Sequence, residues 1–208
     1  MHTLPLIFAV CAFLFLSPAS VAEAGDSTDK PVIDLPHTSV TFNIKHILAP
    51  VFGRFDVFQG EMAFDPDNLK ESWIKLTISV ASIDTGVAQR DGHLRTPDFF
   101  DAEKYPDIVF ESRDIVRTGE GEYTARGRLT MKGVTKELDV PFRYLGEVKH
   151  PNPQEPCTMV QGVEASFSVN RLDFGVGDGK FYKMGMVGDM VTVRISMEIL
   201  SKSPDCGQ

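Results

Sequence analysis

Three arginines and two histidines are the side chains of this sequence best suited to chemistry: Arg90, His93 and Arg95 in "RDGHLR", Arg171 in "NRLDFG", and His46 closing "HTSVTFNIKH". Guanidinium and imidazole groups at the edge of a cleft can hydrogen-bond an oxygen-bearing headgroup. The same residues have a plainer use. Arg90, His93, Arg95 and Arg171 can make surface ion pairs or cap contacts with Asp91, Asp98 or Asp101, and His46 can be a satisfied structural histidine. Catalysis asks for more: a nucleophile with its base, a carboxylate pair of split pKa, or a metal. His93 near Asp91 and Asp98 is the nearest approach to such a set. The sequence has no nucleophile elbow, no HExxH and no phosphate-binding glycine loop. A non-enzymatic protein is expected, with no catalytic residues and no cofactor.

The cysteines bound the compartment. Leu4 to Leu16 is almost wholly apolar and leads through Ser17-Pro18-Ala19 to Ala22-Glu23-Ala24, a small-x-small cleavage pattern. Residues 1–24 therefore read as a signal peptide cleaved after Ala24, since the apolar run is shorter than the roughly 20 residues that cross a bilayer. The protein is then periplasmic or secreted. Cys157 and Cys206 remain after cleavage, and an exported protein can oxidise such a pair, the alternative being two free thiols. No CxxC or Cys/His ligand spacing points to zinc or haem. The 208 residues carry a formal charge of −8 and no basic stripe with interleaved aromatics, so nucleic acid is not an expected partner.

The rest of the chain has to position these groups, and its pattern is that of strands. Residues 25–33 read as a flexible linker, 34–202 as one domain and 203–208 as a tail. Val40, Phe42 and Ile44 alternate with Thr41, Asn43 and Lys45, and His46 shares the apolar parity. Phe58, Gly60, Met62 and Phe64 share a face of a second strand ending at "DPDN", and Ile74, Leu76, Ile78 and Val80 share one within Trp73–Ile83. The charged stretch that follows predicts a short helix or two, around Val87–Arg95 and Pro97–Asp101. Further alternating runs carry Ile108 and Phe110; Tyr123, Ala125, Gly127 and Leu129; Leu138, Val140 and Phe142; Val163, Ala165 and Phe167; and Val191 to Ile199. "MKGVTK" predicts a tight hairpin on Lys132-Gly133, and "HPNPQEPC" an irregular loop. About eight antiparallel strands, several approaching ten residues, favour closure into a barrel over a sandwich.

That parity predicts a lumen lined by Val40, Phe42, Ile44, Phe58, Met62 and Leu76. Gly60, Ala125, Gly127 and Ala165 leave space inside unless larger neighbours fill it. The glycine-rich "FGVGDGKFYKMGMVGD" can be a flap over one opening, with Phe174, Phe181, Met184 and Met186 as apolar contacts, or an ordinary long loop.

Several stretches together resemble the YceI-like family of exported polyisoprenoid-binding proteins: "HTSVTFNIKH", "GRFDVFQGEMAFDP", "SIDTGVAQRDGHLRTPDFFDAEKYPDIVFES", "ARGRLTMKGVTKELDVPF", "FSVNRLDFGVG" and "VGDMVTVRISMEI", spanning about Leu35 to Leu200. The resemblance implies an all-β, extended eight-stranded antiparallel lipocalin-like barrel with a short helical insertion. Its lumen would hold a long isoprenoid lipid of quinone or polyprenyl-phosphate type, making the protein a binding or carrier protein, with transient membrane contact and a homodimer left open. The Pro-rich insertion at His150–Pro156 and the Cys157/Cys206 pair depart from the family pattern. A filled barrel acting as a secreted interaction module is the competing class, and a solid interior would distinguish it.

Overall fold

The computed structural model describes residues 31–203 and Cys206. The expected signal peptide with its cleavage point, most of the expected linker and most of the expected tail lie outside the described residues. The strands are β1 (Val32–Ile33), β2 (Ser39–His46), β3 (Ala49–Phe55), β4 (Phe58–Ala63), β5 (Trp73–Ser79), β6 (Ile83–Asp84), β7 (Asp107–Gly119), β8 (Glu122–Met131), β9 (Val134–Lys149), β10 (Thr158–Asn170) and β11 (Val187–Lys202). Two short helices accompany them, α1 (Ala88–Arg95) and α2 (Lys180–Lys183).

Every pairing is antiparallel, in the order β1-β4-β5-β7-β8-β9-β10-β11-β2-β3-β6, and β1 also pairs with β11. Three junctions interrupt what are otherwise single strands. Leu35–His37 forms a 3₁₀ turn between β1 and β2, and Val80–Ser82 another between β5 and β6. Between β3 and β4 the pairing carries across the break, with the Asp56 amide donating to Ser82 O and the Ser79 amide to Val57 O. Counted through these breaks, eight strands close on themselves. The all-β barrel expected from the alternation is the fold, and closure leaves no long unpaired edge.

Three details differ from the sequence reading. Val32 and Ile33 belong to the barrel rather than to a linker: Ile33 is buried, and β1 pairs with β4 on one side and β11 on the other. Such a two-residue strand carries no alternation to read. Trp73–Ile83 is broken at Val80–Ser82. Only Ala88–Arg95 is helical in the insertion, because too few residues separate Pro97 from the left-handed Asp101 (φ 55°) to nucleate a helix, and successive turns onto Thr96 O form instead.

The β8–β9 hairpin is as tight as its sequence suggests. Lys132 and Gly133 have φ of 47° and 76°, the two positive values of a type I′ turn, and Met131 faces Val134 across it. Lys132 Nζ donates to Pro97 O and Gly175 O, both at 2.9 Å, tying this turn to the two segments that cap the barrel.

At the opposite end Cys157 and Cys206 are joined in a disulfide, with Cα atoms 5.5 Å apart. Ser203 N donates to Cys157 O at 2.8 Å beside it. The bridge spans a sequence separation of 49, for which the chain-entropy model gives about 4 kcal/mol before any native-state strain. The double variant Cys157→Ser/Cys206→Ser should unfold at lower denaturant, losing roughly 2–4 kcal/mol with an unchanged far-UV spectrum. An unchanged midpoint would show that the bridge contributes nothing to stability.

Candidate functional site: a capped apolar cavity

Inward parity in a closed sheet sends every second side chain to one axis, and here they do not fill it. A cavity of about 380 Å³ runs along the barrel, walled chiefly by aliphatic and aromatic groups of β2, β5, β7 through β11 and the turn segments above them. Val40, Phe42, Ile44, Met62 and Leu76 line it as their parity predicts. Phe58, the first residue of β4, does not; it packs against the hydrophobic cluster around the cavity. The Phe42 ring is held by its cross-strand neighbour Gly53, where a Cβ would collide with it, and packs against Phe55 at 5.5 Å between centroids.

The four small inward residues divide in two. A Cβ on Gly60 would run into the Ile33 side chain, and one on Gly127 into the backbone of β7, so both glycines mark close packing rather than space. Ala125 and Ala165 do line the cavity. Sequence alone could not separate these cases, because what fills the room beside a glycine comes from a distant part of the chain.

The two ends differ chemically. The floor is aromatic: Phe64 meets Tyr123, Phe142 and Tyr144 with centroids 5.0, 5.4 and 5.2 Å away, and Phe142 also lines the cavity. Burial pushes the Tyr144 phenol above its ordinary pKa. Ile33 and the fully buried Ile199 face each other across β1 and β11. Aromatic contacts of this kind contribute about 0.5–1.5 kcal/mol each beyond the area they bury.

The ceiling carries the polar groups. Arg90, His93, Arg171 and His46 all border the cavity, whereas Arg95 does not and donates to Ile83 O at 2.9 Å. Arg90 is engaged with Thr85, through Nε to Oγ1 at 2.7 Å and Nη2 to the carbonyl at 2.8 Å. The buried Asp91 accepts from the Thr85 amide at 2.9 Å and fixes the start of α1. His93 Nε2 lies 3.2 Å from Asp98 Oδ2, the Phe99 and Phe181 rings pack edge-on against its imidazole, and the Thr96 hydroxyl donates to its backbone carbonyl at 2.7 Å. His46 and His93 are exposed while bordering the cavity, which marks where it reaches solvent.

The glycine-rich segment lies over this end. Phe181 and Met186 face the cavity, Phe174 is buried in the core, and Met184 points to solvent. Its first half is pinned by Arg171, whose Nε donates to Gly188 O at 2.8 Å and Nη1 to Val176 O at 2.6 Å. Burial pulls the Arg171 guanidinium below its ordinary pKa, while Asp189 and Asp178 push it back up.

Two other features lie outside the lumen. Asp34, His37 and Glu198 form a partly exposed cluster that does not border the cavity; His37 Nδ1 and Asp34 Oδ2 are 2.8 Å apart, which raises the imidazole pKa. An open polar groove includes Glu122, Arg143 and Glu164, charges of alternating sign directly opposed across β8, β9 and β10, as suits a solvated outer face.

The YceI-like domain profile matches residues 32–199. A UPF0312 protein of Photorhabdus laumondii is 40% identical over 145 residues, 68% of this chain and 73% of that protein. Against UPF0312 proteins of Vibrio cholerae the match spans 61% of their length. Among solved structures, Burkholderia cenocepacia BcnA superposes with a TM-score of 0.72 at 27% identity, covering 80% of this chain and 98% of that one. A polyisoprenoid-binding domain from Saccharophagus degradans shares the fold at a TM-score of 0.61 and 14% identity, covering 83% of this chain and 98% of its own.

An open lumen and a filled one respond differently to added bulk. Ala165→Trp should keep the far-UV spectrum, cost no more than roughly 1–3 kcal/mol of stability, and weaken binding of the apolar dye N-phenyl-1-naphthylamine by about tenfold, equivalent to about 1.4 kcal/mol. Undiminished dye fluorescence would place the dye outside this cavity.

Proposed function

As a chain that belongs to the YceI-like family, we propose that this protein is a non-enzymatic carrier, periplasmic or secreted, that holds a long-chain isoprenoid lipid of quinone or polyprenyl-phosphate type in its barrel. The observation that carries this reading is the apolar cavity of about 380 Å³ with an aromatic floor and a polar rim at the other end. A polyprenyl tail offers no hydrogen bonds along its length, so a protein can recognise it only with dry surface of matching shape. Each buried methylene contributes roughly 0.8 kcal/mol. Ordering a flexible tail offsets much of the sum. The likeness of fold to a polyisoprenoid-binding domain supports the same ligand class.

The rim suits a carrier that meets a bilayer. In the β2–β3 turn Ile47 is 51% and Leu48 91% exposed, and the Ile47 amide donates to Met186 O at 2.9 Å. That bond places the turn beside the loop bearing the exposed Met184. Lys45, Lys180 and Lys183 flank these apolar tips in sequence, giving a greasy point with positive surroundings that complements an anionic lipid surface. We propose that this rim makes the transient membrane contact through which a lipid transfers.

Two outcomes follow. Solvent extraction of the purified protein followed by mass spectrometry should yield a prenyl lipid, and added prenyl lipids should raise the melting temperature more as the tail lengthens, until the lumen is full. Saturation at a hundred times Kd corresponds to about 2.7 kcal/mol; a stability indifferent to every prenyl lipid would end the carrier reading. Leu48→Asp should slow lipid delivery to anionic vesicles by roughly tenfold, as expected for losing a buried leucine side chain, while leaving Kd for a soluble short-chain prenyl lipid unchanged. Equal delivery rates would move membrane contact elsewhere.

A further inference from the structure

Arg171 is out of place by every apolar criterion that describes the lumen. It is 5% exposed, borders the cavity, and its Nη2 has no hydrogen-bond partner among the described residues. Each of its other two nitrogens donates one hydrogen bond. Nε is held by Gly188 O, within the register shift between Val187 and Val191 where β11 leaves β2, and Nη1 by Val176 O. The loop closes tightly on this side, since a Cβ on Gly177 would collide with Nη1. The head of the side chain therefore has one geometry.

Nor is its charge balanced at contact distance. Asp189 accepts from Asn170 Nδ2 at 3.2 Å and from the Met190 amide at 3.0 Å, and Asp178 accepts from the Lys180 amide at 2.8 Å; neither makes an ion pair with Arg171. Arg90, the other arginine at the ceiling, has its donors turned to Thr85. A buried cation that keeps an open donor is costly unless an acceptor meets it. A neutral carbonyl would satisfy the donor and leave the charge. An anionic oxygen satisfies both, in the short charge-assisted bond that guanidinium makes with phosphate or carboxylate.

We propose that Arg171 is the headgroup receptor of this barrel, taking an anionic phosphate or carboxylate oxygen on Nη2 beneath the loop that follows it, with the tail running toward the Phe64 floor. The proposal rests on the carrier reading and narrows it, favouring prenyl phosphates over neutral quinones.

The test compares ligands with one tail and different heads on the intact protein: geranylgeranyl phosphate, geranylgeraniol, and the menaquinone bearing the same geranylgeranyl chain, with inorganic phosphate as a tail-free control. The wild type should bind the phosphate roughly tenfold more tightly than either neutral lipid, and inorganic phosphate should produce no comparable thermal shift. Arg171→Gln should erase that preference and bind all three lipids alike, while Arg171→Lys should keep part of it. The wild-type series needs no variant, so it decides even if Arg171→Gln fails to fold. Equal wild-type affinities for the three lipids overturn the receptor and leave the carrier standing. A quinone that binds as tightly as the phosphate overturns the requirement for charge, and inorganic phosphate matching the prenyl phosphate overturns a lipid head. If none of the three lipids binds, the carrier reading itself fails.

Discussion

The structure depends on closing an antiparallel sheet with too few residues to fill what it encloses. Closure is a backbone matter: the two residues of β1 bridge β4 to β11 at one end, and β6 meets β3 at the other. Once the hydrogen-bond circuit is complete, the alternation of each strand assigns half its side chains to a single interior, and the number of strands sets its width. Where large side chains converge, the interior is solid. Where alanines do, it is hollow.

That division runs along the axis rather than around it. Toward one end, Phe64 packs on Tyr123, and the fully buried Ile199 pairs with Ile33. Above, Ala125 and Ala165 leave room among Phe42, Phe110 and Phe167. The far end is also where the disulfide fastens the start of β10 to the chain just beyond β11, so covalent closure reinforces the packed half and not the hollow one. The capping half has no such covalent tie among the described residues; besides the buried Phe99, Phe174 and Val176, it is held by polar contacts, notably Lys132 to Pro97 and Gly175, and Arg171 to Gly188 and Val176. Contacts of this kind open locally at lower cost than a packed core does.

Much of this was legible in the residues because period-two alternation is a local property. Val40, Phe42, Ile44, Met62 and Leu76 could be assigned an interior face from their neighbours alone, and Lys132-Gly133 a turn from its type. What alternation does not encode is depth along the axis. Phe58 has the same parity as Met62 but sits at the end of its strand, outside the cavity wall. The same ignorance of depth hid the difference between Gly127, crowded by β7, and Ala125, two residues away on the cavity wall. Arg90, Arg95 and Arg171 looked alike as cations. Their separation rests on long-range partners: Thr85 for one, Ile83 O for the second, and for Arg171 a carbonyl freed by a register shift in another strand.

The asymmetry of the two ends also sets a direction for the proposed ligand. The floor combines packed rings, the buried Ile33 of β1 and a covalent tie, so admitting a chain there would require breaking the circuit itself. The ceiling is covered by a loop whose α2 has four residues and whose Phe181 and Met186 side chains border the cavity. A lipid admitted from that end must lead with its tail, because a charged head driven down the axis would lose its water with nothing but hydrocarbon to meet it. Arg171 stands at the height where a tail-first lipid would bring its head to rest. Among the described residues, Arg171 is the buried cation of the lumen, and it stands at the end covered by the loop, as a site loaded and emptied through a single mouth would require.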